Sequence, residues 1–221
     1  MNSVLAGMQG IRCFVYLDDI VIFEAGLEEH NEKLLEVLVK SESANLKLQP
    51  DKCNFLRREV LYLGHIITEN GIKVDPGKVE AVVKFPEPRA PKNVMSFLGL
   101  AAYYRKFIRD FSKIAKPLTE LLKKEVSWTC GSVQQATFEI LKEKLTSAPV
   151  LQYPQFDKPF VLTTDASNRA IGAILSQGPI GKDLPIAYAS RTLNKAEQNY
   201  STIEKELLAI VWGVKHFRPY L

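Results

Sequence analysis

Two short runs rich in β-branched and aromatic residues flank an adjacent pair of acids in Ile11-Arg-Cys-Phe-Val-Tyr-Leu-Asp-Asp-Ile-Val-Ile-Phe23. Runs of this kind form strands, and a chain that reverses between them puts the acids at the tip of a β-hairpin. Neighbouring carboxylates raise each other's pKa unless positive charge compensates. A divalent metal is the usual compensator. Magnesium takes oxygen ligands of this type, and two-metal phosphoryl transfer needs a carboxylate cluster. A solvated turn is the plainer reading, because Asp favours turns. The pair alone leaves both open.

The pattern downstream predicts an α+β chain. A helix is expected from Gly26 to about Lys47, with Leu34, Leu35 and Leu38 on one face and Glu28 and Glu29 near its positive end. Gln49-Pro-Asp-Lys52 signals a turn. Val60–Ile67 reads as one strand, and an Asn-Gly turn in Glu69-Asn-Gly71 returns the chain as Ile72-Lys-Val74. Asp75-Pro-Gly opens a helical region kept short by Pro76, Pro86, Pro88 and Pro91. Helix is expected again over Asn93–Lys124 and, after a break at Gly131 and Ser132, over Gln134–Ala148. Beyond Pro154-Gln-Phe-Asp-Lys-Pro159 the character changes. Strands at Phe160–Thr164, Ala170–Ser176 and Pro185–Ala189 precede a helix over Ala196–Phe217, which suggests a small α+β domain.

Further acids stand at informative places. Asp165 follows an apolar strand, as a turn cap or a metal ligand would. Glu204 and Glu206 lie near the start of the last helix, where Ser201 or Thr202 could cap it. Residues two apart on a helix face different ways, so at most one shares a site with Asp165. Glu206 lies nearer the apolar side, through Ala209 and Ile210, and is the preferred partner. His30, His65 and His216 share no ligand spacing. Tyr103–Lys124 carries seven basic and two acidic residues. It could lie along a phosphate backbone, or be a helix with one apolar and one basic face.

Composition adds only bounds. The net charge is +4, which permits a nucleic-acid partner without requiring one. Cys13, Cys53 and Cys130 are scattered, so a reducing, intracellular setting is expected. Apolar runs such as Ile20–Phe23 are too short to cross a bilayer, and the N-terminus has no secretory pattern.

Taken together, these segments resemble the polymerase polyprotein of gypsy-class LTR retrotransposons and, more distantly, retroviral reverse transcriptases. Tyr16-Leu-Asp-Asp19 looks like the palm YxDD motif, and Leu61-Tyr-Leu-Gly-His65 resembles the hairpin that grips the primer 3′ end. Phe97-Leu-Gly-Leu with Tyr103-Tyr-Arg-Lys-Phe107 is similar to that class's thumb. Thr164-Asp-Ala-Ser167, Ala187-Tyr-Ala-Ser-Arg191 and Glu204-Lys-Glu-Leu-Leu-Ala-Ile210 look like the opening of its ribonuclease H.

The resemblance implies a C-terminal palm part with the grip hairpin (1–75), thumb and connection helices (76–150) and the first half of an RNase H-like domain (157–221), a three-stranded sheet with a helix. It implies RNA-directed DNA synthesis coupled to RNase H cleavage. Asp18, Asp165 and Glu206 would bind magnesium, and Asp19 would assist or shape the turn. Lys52 would lie near the incoming nucleoside triphosphate. Tyr62, Leu63, Gly64, His65, Tyr104, Arg105, Lys106 and Arg109 would contact nucleic acid. The implied partners are an RNA template, a DNA primer, their hybrid and the rest of the polyprotein, inside the cell and off the membrane. Another metal-binding Asp is normally upstream of YxDD, and further nuclease acids follow the last helix. Met1 is only seventeen residues from Asp18, so both sites are expected to be half built and the chain to have little activity alone. A non-catalytic nucleic-acid-binding remnant is the alternative.

Overall fold

The computed structural model describes residues 3–124 and 126–221. Backbone contacts divide the chain into two compact units, one ending at Arg57 and one from Arg58 to Leu221.

In the first unit, β1 (Cys13–Tyr16) and β2 (Asp19–Ile22) pair antiparallel, with Tyr16 opposite Asp19. Alternation along β1 buries Cys13 and Val15 against Leu5, Met8 and Val37 and leaves Phe14 and Tyr16 outward. Val37 belongs to α1 (Leu27–Ser43), which ends short of the expected Lys47. Pro50–Lys52 forms a 3-10 turn.

The second unit opens with a meander of β3 (Glu59–Tyr62), β4 (His65–Thr68) and β5 (Gly71–Val74). The single strand expected over Val60–Ile67 is therefore two strands. Leu63 and Gly64 both have positive φ, 48° and 66°, the mark of a two-residue turn that reverses the chain. The next turn is Glu69-Asn70, and Gly71 begins β5 opposite Thr68. The Asn-Gly signal thus points to the right place but not to the right pair of turn residues.

The helices that follow are α2 (Pro76–Val83), capped by the Asp75 carboxylate on the Gly77 amide, α3 (Pro91–Tyr103), α4 (Phe111–Glu120) and α5 (Ser132–Thr146). Apolar residues at helical spacing, including Val94, Phe97, Leu98, Ala101, Phe138, Leu141 and Leu145, meet in the main core. The basic segment from Tyr103 is not one helix. α3 ends there, Arg105–Phe107 is a 3-10 turn, and Asp110 is left-handed at φ 58° before α4. The break serves distant partners. Tyr104 and Phe107 turn to His65, and Ser112 turns to Ser190.

The last part is an antiparallel sheet of β6 (Val161–Ala166), β7 (Ala170–Gln177) and β8 (Leu184–Thr192), in that order, with α6 (Thr202–His216) on one face. Helix was expected from Ala196. Glu197–Asn199 is instead a 3-10 turn, held by the Arg191–Glu197 ion pair, and Ser201 caps α6. Strand parity assigns the faces. Leu162, Thr164, Ala166, Ile171, Ala173 and Leu175 face α6, where Gly213 passes so close that a Cβ would lie 3.2 Å from Thr164. Asp165, Gly172, Tyr188 and Ser190 face the opposite side, against the 3-10 turn and α4. Among the described residues no helix is long and apolar enough to cross a membrane.

Candidate nucleic-acid interface

In the first unit the acidic pair stands at the hairpin tip, as expected. Leu17 and Asp18 form the turn, with Leu17 held at φ 53°, and Asp19 is the first residue of β2. A non-glycine residue held there is a local strain of the kind found at functional turns. Both carboxylates are exposed. Phe14 and Phe23 stack at 5.2 Å across the strands behind them. Lys52 is exposed at the end of its 3-10 turn.

In the second unit the turn between β3 and β4 is held by two adjacent tyrosines. The Tyr103 hydroxyl donates to the Leu63 carbonyl and the Tyr104 hydroxyl to the Gly64 carbonyl, both at 2.6 Å. His65 packs between Tyr103, Tyr104 and Phe107, with ring centroids 5.4–5.6 Å away. Its Nδ1 is buried and finds no hydrogen-bond partner among the described residues. Burial, and then the positive charge of Lys106, hold the imidazole's pKa below its usual value. Burial, and then the Asp75 carboxylate, push the Tyr104 phenol up to about 12, so it stays a donor. Burial also lowers the Lys106 pKa, and its ammonium lies 5.3 Å from the Phe107 ring centre.

The candidate contacts therefore divide by exposure. Leu63, Arg105 and Arg109 are open to solvent; Tyr62, Gly64, His65 and Lys106 are half-buried. Tyr104 is only 1% exposed, so a ligand at this surface meets what it supports rather than its ring. Tyr103, which is not among the residues singled out from the sequence, is 54% exposed and makes the matching hydrogen bond. Two consecutive tyrosines at the end of an apolar helix were the available signal.

The last two acids lie on different elements. Asp165 is exposed within β6 rather than after it, on the sheet face turned away from α6. It lines a small cavity with Arg109, Asp110, Gly172 and Tyr188. Glu206 is half-buried on α6. Glu204 accepts from the Ser201 amide at 2.7 Å in a capping box, which leaves Glu206 the freer of the two. Lys205 is buried beside them, its Nζ 3.3 Å from Asn168 Oδ1. Among the described residues no three His, Cys, Asp or Glu side chains gather as metal ligands. The acids supply hard oxygen donors suited to magnesium, but too few in one place to complete a site.

Residues 130–221 match the family of RNase H-like domains found in reverse transcriptases, and residues 1–67 match the reverse transcriptase (RNA-dependent DNA polymerase) family. The retrovirus-related Pol polyprotein from transposon 297 of Drosophila melanogaster is 51% identical over 222 residues, covering 100% of this chain and 21% of the relative. That from transposon gypsy of the same organism is 42% identical, with 100% and 22% covered. The chain thus spans about a fifth of the length of these relatives. The foamy viral protease-reverse transcriptase dRH in complex with double-stranded DNA superimposes with a TM-score of 0.88 at 27% identity, covering 99% of this chain and 38% of that one. The foamy viral protease-reverse transcriptase in complex with an RNA/DNA hybrid gives 0.85 at 27% identity, with 98% and 29% covered. The chain belongs to the gypsy-class LTR-retrotransposon Pol family, as a segment in which reverse transcriptase sequence leads into an RNase H-like domain.

Proposed function

We propose that this chain is the primer-gripping segment of an RNA-directed DNA polymerase with RNase H, which copies retroelement RNA into DNA. Its modules are a palm end with grip hairpin (1–75), thumb and connection helices (76–150) and the first half of the RNase H-like domain (157–221). The observation that carries the reading is the β3–β4 turn, whose two carbonyls are tied to adjacent tyrosines while Leu63 stays exposed and the positive charge of Lys106 acts on His65 next to the turn. A rigid tip with positive charge close by suits a nucleic-acid strand end, because phosphate contacts position the strand and fixed groups orient it.

In this reading Tyr62, Leu63, Gly64 and His65 meet the primer, with Tyr104 bracing them from below. Arg105 and Arg109, and Lys106 less directly, neutralise phosphates. Asp18 would hold a magnesium ion at the hairpin tip, with Asp19 shaping the turn, and Lys52 would meet the incoming deoxynucleoside triphosphate. Asp165 and Glu206 would be magnesium ligands of the nuclease. Bound magnesium supplies charge neutralisation and nucleophile activation in phosphoryl transfer. Asp165 faces away from α6, so it and Glu206 would share an ion only around the open β6 edge of the sheet. The partners are an RNA template, a DNA primer, the RNA–DNA hybrid and the rest of the polyprotein, in the cytoplasm, a retroelement particle or the nucleus.

A non-catalytic nucleic-acid-binding remnant is the second reading, favoured by the lack of any three gathered acidic, histidine or cysteine ligands among the described residues. Incubation with a primed RNA template, magnesium and nucleotides should give little or no extension. The same chain should retard an RNA–DNA hybrid at low salt and release it as salt rises. Robust extension would overturn the view that the acids present are too few. Absence of any shift at low salt would overturn the grip.

A further inference from the structure

The β3–β4 turn asks for residues that accept positive φ, and tight two-residue turns of this kind favour Asn-Gly. Here the first position is Leu63, at φ 48°, which a side chain of that type disfavours. Nothing in the local sequence holds it there. The restraint comes from forty residues away, where Tyr103 and Tyr104 end α3 and each donates to one turn carbonyl. Tyr103 is the last residue of α3 and Tyr104 its C-cap, so consecutive positions reach consecutive carbonyls of the turn. Tyr104 also fills the core, whereas the Tyr103 ring is largely exposed and touches Tyr104 and His65 edge-on.

We propose that Tyr103 is a positioning residue for primer binding, whose hydroxyl fixes the Leu63 carbonyl and so holds the hairpin tip in the conformation that meets the strand. This rests on the grip reading above. Its chemistry is passive: the phenol donates one hydrogen bond, and no bond to the nucleic acid is made by that hydroxyl.

The test is a titration of labelled RNA–DNA hybrid by the full chain at several salt concentrations, read as fluorescence anisotropy. Tyr103→Phe removes only the hydroxyl. It should weaken binding about five-fold, the net worth of one hydrogen bond, with an unchanged slope of log Kd against log salt because no phosphate contact is lost. The unfolding midpoint should move little, since the lost group is at the surface. In a Leu63→Gly background, where the turn takes its φ without strain, the same substitution should cost less than two-fold. Wild-type affinity in Tyr103→Phe overturns the proposal, as does a defect undiminished in the Leu63→Gly background. A salt slope reduced by about one would make the hydroxyl a phosphate ligand instead and also overturns it. A wild-type chain that does not bind at low salt removes the grip reading and this proposal with it, and the wild-type arm of the same titration tells that failure from the others.

Discussion

Gly71 is where a single methyl group should do most damage. It sits at φ 131°, and a Cβ built there would lie 2.1 Å from the Leu151 carbonyl oxygen and 3.0 Å from the carbonyl carbon. Both obstacles are backbone, so the two segments must part by roughly 1 Å before any side chain fits. Between them run two hydrogen bonds, Ile72 amide to Leu151 carbonyl at 2.8 Å and Leu151 amide to Ile72 carbonyl at 2.9 Å. Losing both costs about 2 kcal/mol at the usual net worth of one each. Holding alanine at such a φ costs on the order of 1–3 kcal/mol more. Leu151 is itself 1% exposed in the main core, so its displacement also loses packing. Gly71→Ala should therefore destabilise the chain by about 3–5 kcal/mol, a large share of the roughly 5–15 kcal/mol that holds a typical domain. Urea unfolding followed by tryptophan fluorescence measures this as a lower midpoint at similar slope. A loss under about 1 kcal/mol would mean that β5 and the Leu151 segment separate without cost, against the steric clash at Gly71.

Two further outcomes follow from the same geometry. The folded state disfavours protonated His65 relative to the unfolded chain. Its contribution is therefore fully present above the unfolded value of 6.5 and is lost as pH falls from there through the lower folded pKa. Stability measured by urea midpoint from pH 7.5 down to 5 should fall, and His65→Phe, which removes the buried Nδ1, should flatten that fall in part. His216, whose pKa burial also lowers, keeps the remainder; an unchanged slope in His65→Phe would count against the burial argument. Ser201→Ala removes the hydroxyl that caps α6 at the Glu204 amide and should cost about 1 kcal/mol in the same denaturation, while Ser201→Thr should cost little. Equal losses for both would mean that the hydroxyl is not the source.

Much of the local structure is legible in the sequence. The hairpin around Asp18, the strands of the last domain and the capping of α6 at Ser201 depend on near neighbours, so pattern and turn chemistry suffice. The capping box that ties Glu204 to Ser201 is a three-residue spacing of the same local kind. What could not be read depends on partners far along the chain. The split of Val60–Ile67 into two strands is written weakly, by a Leu-Gly pair, because tyrosines forty residues on complete the turn. The break after Tyr103 was hidden by continuous helical periodicity and is decided by His65 and Ser190.

From residue types at short range the sequence determined the hairpin around Asp18, the strands and last helix of the C-terminal part, and the family resemblance. Tertiary structure alone decided which face of the last sheet each residue takes. Parity places Asp165 opposite α6, a matter of register that shifts every side chain with a one-residue slip. It also decided that Tyr104 is buried and Tyr103 exposed although both tie the same turn, because α3 ends between them and only the packing around each ring tells them apart.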